Sequence, residues 1–342
     1  MSLVRNARPL LFSLSLLAIA SFWLSLALGP VSLSLGESLQ ALLRLVTHAS
    51  APSQADLIVG QIRLPRALLG LGVGAVLALS GVAMQGLFRN PLADPGLIGV
   101  SSGAALGAAL TIVGSELAGG VASWLEPYLL SLSAFAGGLA VTALVYRLGR
   151  REGRTHVATM LLAGVALTAL AGAVIGLLGY FAEDNTLRTL TFWNLGSLNG
   201  ASYARLWPLL AVALGVACWL PRRARALNAL LLGESEARHL GFDVEHLKRE
   251  LIFCTALGVG AAVAAAGMIG FVGLVVPHLV RLMVGPDHRL LLPASAIAGA
   301  SLLLLADLLA RLVLAPVELP IGTVTALLGA PFFLYLLVRR YP

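Results

Sequence analysis

Nine apolar stretches, each free of aspartate, glutamate, lysine and arginine, recur from one end of this chain to the other. They are Leu10–Leu28, Ala67–Phe88, Gly96–Ser115, Pro127–Tyr146, Val157–Ala182, Leu206–Pro221, Leu251–Val280, Leu290–Ala306 and Leu319–Val338. Most approach the ~20 apolar residues that a helix needs to cross ~30 Å of hydrocarbon. Lipid offers a backbone no hydrogen bonds, so such runs fold as helices rather than open sheet. The alternation of a membrane β-barrel is absent. A chain that is 58% hydrophobic and only 11% charged, with a mean hydropathy of +0.92, fits no soluble domain of this length. The sequence defines an all-α polytopic membrane protein, residues 1–342 forming a single transmembrane domain.

The first run follows Arg5 and Arg8 but is longer than a signal-peptide core, and it reads as the first span. Leu251–Val280 is too long for one span. Splitting it near Gly267, Gly270 and Gly273 gives ten transmembrane helices with both termini cytoplasmic. Of the 23 lysines and arginines, 17 then face inward. The six facing outward are Arg44, Arg63, Arg66, Arg188, Arg205 and Arg311. That asymmetry is what the positive-inside rule requires. The second half of the split run is short and carries His278 and Arg281, so neighbouring helices must shield it. The net charge of +7 reflects orientation and anionic headgroups, with no call for nucleic acid.

Leu71–Gly81 and Leu257–Gly267 share the pattern Leu-Gly-Val-Gly-Ala near their starts and close on glycine. They fall in spans 2 and 7, the spacing of an inverted repeat relating spans 2–5 to spans 7–10. Glycines four apart (Gly70 and Gly74; Gly99, Gly103 and Gly107; Gly172 and Gly176) fit close helix packing. Cys218 and Cys254 have no metal-ligand spacing and read as small apolar side chains.

One polar segment interrupts the pattern. Residues 230–241 place Glu234, Glu236, Arg238 and His239 on a short helix between spans, and residues 222–249 form a loop that the topology puts in the cytoplasm. A fixed polar helix there is a handle for a partner. No phosphate-binding loop occurs, and the only lysine is Lys248, so ATP must be bound elsewhere. No metalloprotease, Cys-x-x-Cys or nucleophilic signature appears, and the chain is read as a non-enzyme with no metal site. Acidic residues are almost absent from the spans, which argues against an ion-coupled transporter; Asp307 is the exception, and Arg311 four residues on makes an intrahelical pair the simpler account.

Five further segments carry a family signature: Gln61–Arg66, Asn90–Gly96, Gly270–His278, Asp287–Arg289 and Glu318–Ala326. From about residue 55 to its end, the chain resembles the FecCD family, permease subunits of type II ABC importers for iron-siderophores, haem and cobalamin. The resemblance implies a homodimer in the bacterial inner membrane, two ATP-binding subunits and a periplasmic substrate-binding protein, with no permanently bound cofactor. It matches Gly233, Glu234, Ser235, Glu236, Ala237, Arg238, His239, Leu240 and Gly241 to the coupling helix. Glu234, Glu236 and Arg238 would bond the ATPase while Ala237 and Leu240 pack into its cleft. It matches Arg63, Arg66 and Arg311 to arginines that receive acidic residues of the binding protein. Val157 and Ala158 stand in the cytoplasmic gate region, where the family carries small hydroxyl residues, and spans 5 and 10 would line the pathway.

The remaining polar residues have plainer readings. His278 is structural, Asp94 caps a turn, and His48, His156, His239, His246 and His288 are solvated loop residues. Overall resemblance favours haem as cargo over a ferric siderophore and then cobalamin. Arg188, outward-facing after span 5, is the candidate contact for a haem propionate.

Overall fold

The computed structural model describes residues 7–31, 33–47, 53–117 and 126–340. Arg5 and His48 lie outside these residues, as do the side chains of Arg339 and Arg340. Among the described residues, eight helices are long and apolar enough to cross a membrane. Two shorter apolar helices, Val272–Val284 and Ile321–Tyr335, accompany them.

In chain order the helices begin with α1 (Ala7–Ala27), the amphipathic α2 (Leu35–Thr47) and the short α3 (Gln54–Leu57). A π-helical turn, Ile58–Arg63, feeds α4 (Leu64–Leu87), with Pro65 in its first turn, where a missing N–H costs nothing. Next come α5 (Val100–Leu117), α6 (Glu126–Gly149), and a small hairpin of β1 (Arg150–Arg151) and β2 (Arg154–Thr155). The hairpin leads into α7 (Val157–Phe181), α8 (Asp184–Asn194) and α9 (Tyr203–Trp219). The chain ends with α10 (Ala224–Leu232), α11 (Glu234–His239), α12 (Val244–Ala266), α13 (Val272–Val284), α14 (His288–Leu312) and α15 (Ile321–Arg340).

The core forms around α4, which is buried along most of its length against α9, α12, α13 and α14. Glycine makes that possible. A methyl group on Gly81 would lie 1.8 Å from the Gly273 carbonyl oxygen, and one on Gly74 would lie 2.3 Å from that of Gly299. Gly103 and Gly137 bring α5 and α6 together in the same way. Gly172 and Gly176 differ: on α7 they face open space. The two similar segments of the sequence pack on each other, Gly258 of α12 lying against Val76 and Ser80 of α4.

The long run from Leu251 breaks between Ala266 and Val272, where Gly267 and Phe271 both take positive φ. The resulting α13 has 13 residues, about 20 Å of rise, short of a bilayer core. Its Val275, Val276, Pro277 and His278 are buried, and Arg281 donates to the Gln85 Oε1 of α4 at 3.2 Å. Packing covers the face that carries His278, while Leu279, Leu282 and Met283 on the other face stay exposed.

Candidate coupling helix, cavities and arginine network

The polar handle is two helices joined at Gly233, whose φ of 132° no side-chain-bearing residue adopts easily. Asp243 then caps α12 by accepting from the His246 N–H at 2.9 Å. The resulting surface differs from the expected one. Ala237 is fully buried within the chain and has no face to offer a partner. Leu240 (59% exposed) and Leu232 (68%) stand out, with Ser235, Glu236, His239 and Gly241 beside them. Glu234 and Arg238 are already engaged: they pair at 3.1 Å, and Glu234 Oε1 lies 2.7 Å from Lys248 Nζ.

Val157 and Ala158 open α7 immediately after the hairpin. A cavity of about 440 Å³ joins them to the handle, with walls that include Phe88, Arg89, Arg154, Thr155, Glu234 and Arg238. Two candidate regions some 80 residues apart in sequence therefore share one space at the same end of the bundle.

At the opposite end, Arg63, Arg66 and Arg311 come together, but not as the exposed surface the sequence led one to expect. Their exposures are 4%, 6% and 3%. Arg63 donates to the Leu26 and Ala27 carbonyls at 2.6 and 2.7 Å and also to that of Val31, tying α4 to the end of α1. Arg66 donates to Asp307 through Nε and Nη2 at 3.0 and 2.9 Å, and through Nη1 to Glu318 at 3.0 Å. Arg311 lies 3.1 Å from the other Asp307 oxygen and donates to Ser25 Oγ at 2.9 Å. Guanidinium groups buried this deeply need internal partners, and these carboxylates and carbonyls supply them. The intrahelical Asp307–Arg311 pair is present, and Arg66 completes it from α4.

A larger cavity, about 980 Å³, is walled by α5, α7, α15 and the turn before α13. Ser101, Ser102, Thr168, Asn194 and Thr323 give it scattered polar groups among small and apolar ones. The two helices expected to line a pathway, α7 and α15, both contribute. Among the described residues Asp94 is the one ionisable residue lining it, and it caps the 3₁₀ turn Pro95–Ile98 by accepting from the Gly96 N–H at 2.7 Å. Burial raises its pKa above the usual carboxylate range, against the pull of that hydrogen bond.

Arg188 is exposed and sits over the Phe192 ring at 5.9 Å, beside Arg205 in a separate cavity of about 540 Å³. It does not line the larger one. His156, His239 and His246 are solvated, but His288 is fully buried, its Nδ1 2.8 Å from Asn228 Oδ1. The reason is that α10 packs over the start of α14. No cluster of three or more histidine, cysteine or acidic side chains that could hold a metal occurs among the described residues.

A multi-pass helical bundle with a polar handle at one end and an internal cavity is the architecture of a membrane permease. Comparison with known proteins agrees. The model of the FecCD transport family matches residues 16–339. The hemin transport system permease protein HmuU of Yersinia pestis is 48% identical over 279 residues, covering 82% of each chain. The vitamin B12 import system permease protein BtuC of Klebsiella pneumoniae is 44% identical over 337 residues, 98% of this chain and 95% of the relative. A chain from a metal-chelate type ABC transporter, solved in an inward-facing conformation, superposes with a TM-score of 0.84 at 35% identity, covering 97% of this chain and 99% of its own. The chain belongs to the FecCD transport family, and it is a permease subunit of an ABC importer.

Proposed function

We propose that this chain is the conduit for haem in an ATP-driven importer of the bacterial inner membrane. It works as a homodimer with two ATP-binding subunits and a periplasmic substrate-binding protein, and it has ten spans with both termini in the cytoplasm. ATP is bound and hydrolysed on the partner subunits, and this chain is not itself an enzyme. The observation that carries this reading is the cavity of about 980 Å³ between α7 and α15. Its small and apolar lining suits passage of a large flat chelate, with few groups to hold one tightly.

Dimerisation is supported by α7, the most apolar of the eight long helices, of whose most apolar stretch only 11% is buried. Leu162, Val165, Leu170 and Leu177 are exposed on it, and Gly176 leaves room for another helix. The exposed α11 surface around Leu240 is the contact for the ATP-binding subunit. Arg63, Arg66 and Arg311 serve the binding protein by fixing the ends of α1, α4 and α14 beneath its docking face, rather than by direct forks to its carboxylates. Arg188, with Arg205, is available for acidic groups of the cargo or the binding protein.

Haem is favoured by the 48% identity to a hemin permease. Cobalamin is the second reading, since the vitamin B12 permease matches over 98% of this chain. An ion-coupled secondary transporter has little support, because Asp307 is locked between Arg66 and Arg311 and does not line the cavity. Uptake of hemin, cyanocobalamin and a ferric hydroxamate into proteoliposomes carrying the full complex tests the cargo assignment. Hemin should enter fastest; faster entry of cyanocobalamin would replace haem with cobalamin.

A further inference from the structure

The chain's only lysine is more deeply enclosed than any arginine among the described residues. Lys248 lies on the first turns of α12 and is 1% exposed. Its ammonium group is 2.7 Å from Glu234 Oε1 on α11 and 3.3 Å from Glu245 Oε1 one turn back on α12, and it donates to the Thr155 carbonyl at 3.1 Å. Glu245 closes the arrangement with its other oxygen, which accepts from the Thr155 N–H at 2.8 Å. Both backbone groups of Thr155 are thus held by a Glu–Lys pair on one face of α12. Thr155 ends β2, the His156 N–H donates to the Gly149 carbonyl at 2.9 Å, and α7 begins at Val157.

We propose that Lys248 is the positioning residue that transmits displacement of α11 to the start of α7. The inference rests on the reading of α11 as the contact for the ATP-binding subunit. The Lys248 ammonium is almost fully enclosed while its partners border a cavity, so separating it from Glu234 and Thr155 leaves a buried charge under-compensated, at a cost. They therefore move together. α11 is short and mostly exposed, held to the bundle by the buried Ala237 and, towards the hairpin, by Arg238, itself 3.8 Å from Glu245. The hairpin is two residues per strand with Glu152 and Gly153 at positive φ in its turn, too small to hold its own position. Its anchor is the Lys248–Glu245 pair, and through it the first turn of α7 follows the handle. Charge alone does not do this; the three contacts converging on one atom do.

The test uses the assembled complex of permease, ATP-binding subunits and binding protein, with Cys218→Ser and Cys254→Ser as background and Ala158→Cys as reporter. The rate of maleimide labelling at position 158 is measured with and without ATP, alongside ATP hydrolysis. In the parent complex ATP should change the labelling rate by about ten-fold, a typical size for coupling between two sites. Lys248→Met should abolish that change while ATP hydrolysis continues, and Lys248→Arg should restore part of it. A purely structural lysine would instead lower complex yield and hydrolysis together and leave the labelling change per ATP intact, which would overturn the proposal. If Lys248→Met does not assemble, Glu234→Gln at the half-buried end of the contact decides: loss of the ATP-dependent change supports the proposal, and its retention refutes it. Leu240→Asp separates the underlying reading, because failure of α11 as the partner contact would leave copurification of the ATP-binding subunits unaltered in that variant.

Discussion

Arg66 and Asp307 are 241 residues apart in sequence, yet both oxygens of the Asp307 carboxylate accept from one edge of the Arg66 guanidinium, its Nε and Nη2. Arg311 Nε lies 3.1 Å from Asp307 Oδ2 as an ion pair, so a carboxylate that is 1% exposed is shared by two arginines. The three residues clamp α4 to α14 at the end of the bundle opposite the handle.

This arrangement makes the clamp structural. Asp307→Asn removes the shared charge and leaves two buried cations under-compensated, with an expected loss of about 3–5 kcal/mol. The variant should show a clearly lower unfolding temperature in detergent and lower membrane abundance, as should Arg66→Glu. An unaltered melting curve for both would show that the arginines are free to serve a partner directly.

Two residues on α11 should respond in opposite ways. Leu240→Asp alters an exposed side chain, so thermal stability should hold while copurification of the ATP-binding subunits falls. Ala237→Trp forces an indole into a site with no exposed area, costing about 1–3 kcal/mol or more in overpacking. It should lower stability of the isolated permease, a result that a surface alanine would not give.

Glycines divide along the same line. Gly81→Ala places a methyl group 1.8 Å from the Gly273 carbonyl oxygen, with only backbone to move aside. Expression of folded protein should drop. A Cβ at Gly172 meets nothing within 4 Å, and the position lines the cavity between α7 and α15, which the side chain of Gly172→Leu should narrow. That variant should fold at parental yield and lose uptake; normal uptake would remove this cavity from the transport path.

How much of this was legible in the sequence depends on the range of the interactions. The spans are local: a run such as Val157–Ala182 declares its helix by length and composition alone, and α7 occupies it almost end to end. The break after Ala266 was also readable, because Gly267 and Gly270 mark a turn within an otherwise continuous run. Burial of the arginines was not. Arg63 and Arg66 stand beside proline at a predicted helix start, and nothing nearby announces Asp307 or Glu318 as partners. The same holds on α11, where Ala237 and Leu240 are both apolar and only the packing of α10 and α12 decides which one turns inward. Lys248 is the clearest case: a lysine next to Arg249 in a cytoplasmic loop gives no local sign that α11 and the hairpin close over it.

The central claim, a passive conduit powered from another polypeptide, is tested most directly by hemin uptake into proteoliposomes of defined composition. Uptake should occur only when this permease, its ATP-binding subunits, the binding protein and ATP are all present, with no hydrolysis by the permease alone. Hemin accumulation by the permease alone, driven by a proton or sodium gradient without ATP, would contradict it.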